Sequence, residues 1–124
     1  MNVVDSSAWL EFFAGGPNAA HFARPISSLN QLVVPSITIL EVFKRILQQR
    51  DENAALRAVA AMRQGRNVNL DADMALAAAK LGHDFKLPLA DSVIFATARK
   101  YGAVLWTQDA DFKGLKNVRY FAKA

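Results

Sequence analysis

Short apolar runs alternate with helix-forming stretches along this chain, and that alternation narrows the fold more than any other feature. Asn2-Val3-Val4, Leu32-Val33-Val34 and Ala103-Val104-Leu105-Trp106-Thr107 read as strands. Asn67 to Leu70 and Val118 to Phe121 read as a brief strand and a final edge strand. Between them fall helical segments. One runs through Ala8 to Phe13 and stops at Gly15-Gly16-Pro17; another runs from Asn18 to Arg24 and is closed by Pro25. A longer helix is expected from Ile37 to Gln49, capped by Ser36, with Ile37, Leu40, Phe43 and Leu47 at helical spacing. Alanine-rich helices follow, one from Asp51-Glu52 to near Gly65, one from Asp71 or Asp73 through Leu81. The last helix runs from Ser92 to Lys100, opened by Asp91 and stopped by Gly102. Strands that alternate with helices call for an α/β fold: a doubly wound parallel sheet of about four to five strands with helices on both faces.

At 124 residues the chain is expected to form one domain, 1–124. It is 52% hydrophobic and 21% charged, enough for an ordinary core. It holds no cysteine, which excludes a disulfide scaffold, a thiolate zinc site and a cysteine nucleophile. No apolar run reaches membrane-spanning length. Met1 to Asp5 carry neither a basic region nor a secretory apolar stretch, so the expected location is cytoplasmic.

The acids are placed unevenly. Asp5 ends the first strand, and Asp109 and Asp111 follow the Val104–Thr107 strand. Ligands of open parallel sheets bind outside such strand ends. Asp91 at a helix start and Glu41, one turn into the helix after the second strand, are expected at the same edge. Glu41 interrupts an apolar stretch; Lys44 or Arg45 could pair with it at helical spacing, or it could face a cation. Taken singly, Asp5, Asp91 and Asp109 are good helix or turn caps. Together, four carboxylates need positive charge between them, and an all-oxygen site suits Mg²⁺ or Mn²⁺. Such an ion activates water against a phosphate ester. Fifteen Lys and Arg oppose eleven Asp and Glu; setting Asp5, Glu41, Asp91 and Asp109 aside leaves +8 on the remaining surface. An acidic pocket within a basic surface is the layout of a nuclease.

Four segments, in order, carry a family resemblance: Val3-Val4-Asp5-Ser6-Ser7-Ala8, Ser36 to Val42, Leu89 to Ala98, and Leu105 to Phe112. Through them the chain resembles the PIN-domain ribonucleases, and among these the VapC-type toxins of bacterial toxin–antitoxin pairs. The resemblance implies a PIN-like doubly wound fold and Mg²⁺- or Mn²⁺-dependent endoribonuclease activity. Asp5, Glu41, Asp91 and Asp109 match the acids of the metal and catalytic site. Asp111 stands in a variable further slot as ligand or support, and Ser7 and Thr107 match supporting hydroxyls. The implied reaction is in-line attack by water, oriented or deprotonated by Glu41, leaving a 5′-phosphate and a 3′-hydroxyl. The implied partners are an RNA substrate, a VapB-like antitoxin, a second copy of the chain in a homodimer, and operator DNA reached only through the antitoxin, with no membrane.

Trp9, Phe12, Phe13 and Phe43 are candidate lining for an antitoxin groove, and Lys44, Arg45, Lys86 and Arg99 are candidate RNA contacts. His21 and His83 leave open a metal-free acid–base ribonuclease. A PIN-like module that binds RNA or acts as a scaffold without cutting is the alternative from another class.

Overall fold

A computed structural model describes all 124 residues. The chain runs β1 (Asn2–Val4), α1 (Ser6–Ala14), α2 (Ala19–Ser27), β2 (Leu32–Pro35), α3 (Ser36–Gln49), α4 (Glu52–Met62), β3 (Arg66–Val68), α5 (Ala72–Phe85), α6 (Leu89–Lys100), β4 (Val104–Thr107) and β5 (Val118–Tyr120). Single 3₁₀ turns precede β2 and follow β4. All strand pairs are parallel, in the order β3-β2-β1-β4-β5. The chain winds outward from β1 to β3, crosses back to β4 and winds the other way. The expected doubly wound α/β sheet is therefore present, and its order reverses at β1. That reversal opens a crevice beyond the C-terminal ends of β1 and β4, because the connections leave those ends in opposite directions.

The pleat sends successive side chains to opposite faces, so each short strand feeds two cores. Val4, Leu32, Val34 and Trp106 pack with Ala8, Trp9, Val42, Ile46, Ala55 and Met62 from α1, α3 and α4. Val3, Val33 and Leu105 pack on the other face with Ile94 and Phe95 of α6. A third cluster joins Met74 and Ala78 of α5 to Val93 and Ala96 of α6. Ala54, Ala55 and Ala58 are buried within the chain itself, so this alanine stretch of α4 serves the internal packing. No helix is long and apolar enough to cross a membrane.

Several local expectations are corrected. Pro25 lies inside α2 and does not close it, because the carbonyl deprived of its partner belongs to exposed His21 and the helix runs only two residues further. Ser36 does not cap α3; Pro35 holds the cap position, and buried Thr38 donates instead to the Pro35 carbonyl at 2.6 Å. The inward face of α3 is Thr38, Val42 and Ile46, while Leu40 and Leu47 are exposed. Apolar residues cover more than one stripe of this helix, and the position of α4 and the sheet selects which one is buried. Trp9 is 1% exposed and belongs to the core, which removes it from any groove lining. Helix α4 ends at Met62, short of Gly65. Helix α5 runs past Leu81 through Gly82 to Phe85, and α6 begins at Leu89 with Pro88 before it.

Gly82 explains why α5 and α6 pack closely. A Cβ there would sit 2.9 Å from the Ser92 Cβ. Alanine normally stabilises a helix interior relative to glycine by about 1 kcal/mol. Gly82→Ala is predicted to reverse that sign and destabilise by roughly 1–3 kcal/mol through overpacking. The midpoint of urea unfolding reads it, and a raised midpoint would refute the close-packing account.

Candidate metal centre at the sheet edge

Asp5 follows β1 and is 2% exposed. Its backbone N–H continues the ladder to the Trp106 carbonyl at 3.1 Å, and its side chain caps α1. Oδ1 accepts from the Ala8 N–H at 3.0 Å and from Ser7 Oγ at 2.8 Å; Oδ2 accepts from Thr107 Oγ1 at 2.7 Å. Thr107 Oγ1 in turn accepts from the Asp109 N–H at 2.8 Å. One hydroxyl thus joins the end of β1 to the loop after β4. Burial pushes the Asp5 carboxyl up to about 6, against the pull of the Thr107, Ala8 and Ser7 hydrogen bonds, with a further upward push from the charge on Asp109.

Asp91 is the third residue of α6 and caps nothing. Its place in the first turn suits the helix dipole. Carboxylate oxygens of Asp91, Asp109 and Asp111 lie within 4.8 Å of one another. Asp109 orders the following turn by accepting from the Asp111 N–H at 2.9 Å. Burial first, and then the charge of Asp109 and a hydrogen bond to it, push Asp91 up to about 8; Asp5 and Asp111 add to the rise. No lysine or arginine relieves this crowding. The ion pairs of the chain are Lys80–Asp84 and His83–Asp84, both on the surface of α5. Uncompensated oxygens at this spacing fit a hard divalent cation.

Glu41 lies outside that group of three. It is half-buried on α3, and its Oε1 accepts from Ser6 Oγ at 2.6 Å. The pairing with Lys44 or Arg45 that its spacing allowed does not form. Ser6 was missed by sequence reasoning. Its signal was the tandem Ser6-Ser7 after a strand-ending acid, which gives one hydroxyl to Glu41 and the next to Asp5.

Other candidates are scattered. Arg99 lies eight residues beyond Asp91 on α6, about 12 Å along the helix axis. Its guanidinium stands over Phe85 and Phe95, away from the acids. His21 stacks on Phe121 with centroids 4.3 Å apart, and His83 contacts Asp84. The two histidines sit on different helices, and each is engaged outside the acidic cluster.

The geometry makes two outcomes measurable. Thr107→Val keeps the shape but leaves a buried Asp5 oxygen unpaired, and is expected to cost about 1–3 kcal/mol in the urea midpoint. Both raised carboxyls give folding a pH dependence of fixed sign. Their folded values exceed the ordinary 3.8, so above that pH the native chain holds protons the unfolded chain has lost. This contribution is present in full below 3.8 and is lost as pH rises, through about 6 for Asp5 and about 8 for Asp91. In chelator, Tm should fall across that window, and Asp91→Asn should flatten the part above about 6. A metal-free Tm that rises across the window would contradict it.

The PIN domain family profile matches residues 3–118. No curated protein matches the chain. Solved structures share the fold. A toxin–antitoxin complex from Klebsiella pneumoniae aligns at TM-score 0.83 and 24% identity, covering 100% of each chain. Mycobacterium tuberculosis VapC20, described as a sarcin-ricin-loop-cleaving toxin, aligns at 0.76 and 22% identity over 94% of this chain and 95% of that one. DNA-bound VapBC from Salmonella typhimurium aligns at 0.72 and 15% identity over 98% and 96%. The doubly wound sheet, the acids at its reversal point and the match along nearly the whole sequence have one reading: this chain belongs to the PIN domain family.

Proposed function

We propose that this chain is a metal-dependent endoribonuclease of the VapC toxin type. The observation that carries this reading is the set of carboxylates at the β1/β4 crevice with no cation of the protein to neutralise them. Asp91, Asp109 and Asp111 would hold Mg²⁺ or Mn²⁺, with Asp5 completing the site directly or through water. When bound, the ion supplies a water of lowered pKa and stabilises charge on the phosphoryl oxygens. Ser7 and Thr107 fix Asp5, so its orientation does not depend on the ion. Glu41 has one oxygen held by Ser6, which leaves the other to orient the attacking water and take its proton. In-line attack on phosphorus then expels the 3′-oxygen and leaves a 5′-phosphate.

The fold likeness to toxin–antitoxin complexes supports a VapB-like antitoxin as partner, and a homodimer that binds operator DNA through it. A groove of about 280 Å³ between α1, α3 and α4 suits an amphipathic antitoxin segment. Leu10, Phe13 and Ile46 form its apolar floor, and Arg50 and Arg57 line it as well. We place the activity in the cytoplasm, where RNA and such a partner meet.

Purified chain freed of any partner should cut a mixed RNA pool with added Mg²⁺ or Mn²⁺, giving 5′-phosphate ends. Chelator should abolish cutting, and Asp91→Asn should reduce it by at least about a hundredfold. Cutting that survives chelator and leaves cyclic phosphates would assign the chemistry to a histidine mechanism. RNA binding without cutting, with no metal bound by calorimetry, would make the chain a non-catalytic PIN module.

A further inference from the structure

Beside the acidic edge, between α1 and α3, lies a recess of about 290 Å³. Ser7, Glu11, Arg45, Gln49, Gln108 and Lys123 give it a polar lining. It borders the metal-binding edge by direct connection. Ser7 donates to Asp5, Gln108 stands between Thr107 and Asp109, and Arg45 is one turn beyond Glu41.

The two cations of the recess are unpaired. Neither Arg45 nor Lys123 has a carboxylate oxygen within 4.0 Å. Two nearby acids hold other donors: Glu41, one turn before Arg45, accepts from Ser6, and Glu11, in the wall of the recess, accepts from the Asn18 N–H at 2.8 Å. Gln108 gives its Oε1 to the Asn18 side chain at 3.1 Å, which leaves its NH₂ without a partner in the protein. A guanidinium, an ammonium and a free amide NH₂ line one hollow, and the single carboxylate in its wall, Glu11, has one oxygen taken by the Asn18 N–H. That set is complementary to a phosphate group, which has only acceptors and carries negative charge.

Resting on the nuclease reading above, we infer that this recess is a phosphate subsite for the RNA strand, holding a backbone phosphate that flanks the scissile one. The strand then crosses from Arg45 and Lys123 to the acids. The basic recess offsets the repulsion that phosphates meet at the carboxylate edge, and it sets which bond of the strand reaches the metal.

The test reads RNA binding separately from cutting. On an Asp91→Asn background with Mg²⁺ present, fluorescence anisotropy measures a labelled oligouridylate over a range of salt. Replacing Arg45 and Lys123 together by alanine should weaken binding about tenfold, and should lower the salt slope by about 0.7 for each phosphate that is no longer neutralised. Arg45→Lys with Lys123→Arg should restore it, since charge is kept. The control, Arg24→Ala with Lys116→Ala, removes the same charge outside the recess and should bind like the parent. Equal weakening in the control, or unchanged binding in the recess variant, would overturn the subsite. So would displacement of the RNA by oligoglutamate in the parent with equal potency in the recess variant. Wild-type cutting separates the two claims: if it cuts RNA while the recess variant binds normally, only the subsite fails. If the wild type neither cuts nor binds RNA, the nuclease reading fails first.

Discussion

The Thr107 hydroxyl donates to buried Asp5 and accepts from the Asp109 amide, and the acidic edge depends on that pair of bonds. β1 and β4 are neighbours in the sheet, but their connections run in opposite directions beyond it. The tie holds two acid-bearing segments side by side across the crevice despite their like charge. Thr107 fixes the rotamer of Asp5 from one side, as Ser7 and the Ala8 amide do from the other. The Asp5 carboxylate is therefore held by three donors, and its backbone by the Trp106 carbonyl and the Trp9 N–H, before any cation arrives.

That pre-organisation opposes stability. Asp91, Asp109 and Asp111 crowd their oxygens together, and burial adds to the cost of ionising Asp91 and Asp5. A fold selected for stability alone would place a lysine or arginine among them, and here none is paired. The positive charge sits on the surrounding surface instead, where Arg45 and Lys123 border the same edge. Under the proposed function the layout separates two tasks: a divalent ion would neutralise the centre, and the basic surface would draw in the polyanion.

Much of this was legible in particular residues. Val3-Val4-Asp5 and Leu105-Trp106-Thr107 announced buried strands that end in polar groups, and parallel topology then puts those ends on one edge. Asp5 and Asp109 are also caps, as their sequence context suggested, so capping and site geometry use the same side chains. Legibility failed where more than one neighbour was possible. Arg99 shares a helix with Asp91 but points its charge over aromatic rings at the other end. Glu41 had two cations at helical spacing and took a serine thirty-five residues away instead. On α3 the apolar pattern allowed two stripes, and Leu40 and Leu47 fell on the exposed one.

The sequence by itself determined the class of fold, because short β-branched runs and amphipathic segments have different periods and cannot exchange roles. It also determined which acids would reach the sheet edge, because strand ends and helix starts in a parallel sheet share it. Only the tertiary structure decided what each acid touches there. Hydrogen bonds form over about 3 Å, whereas periodicity locates a side chain only to a face of its element. The link from Ser6 to Glu41, the Thr107 tie and the unpaired state of Arg45 are all distances between elements remote in the chain. Such distances are fixed by how the helices pack on the sheet, and no local pattern encodes them.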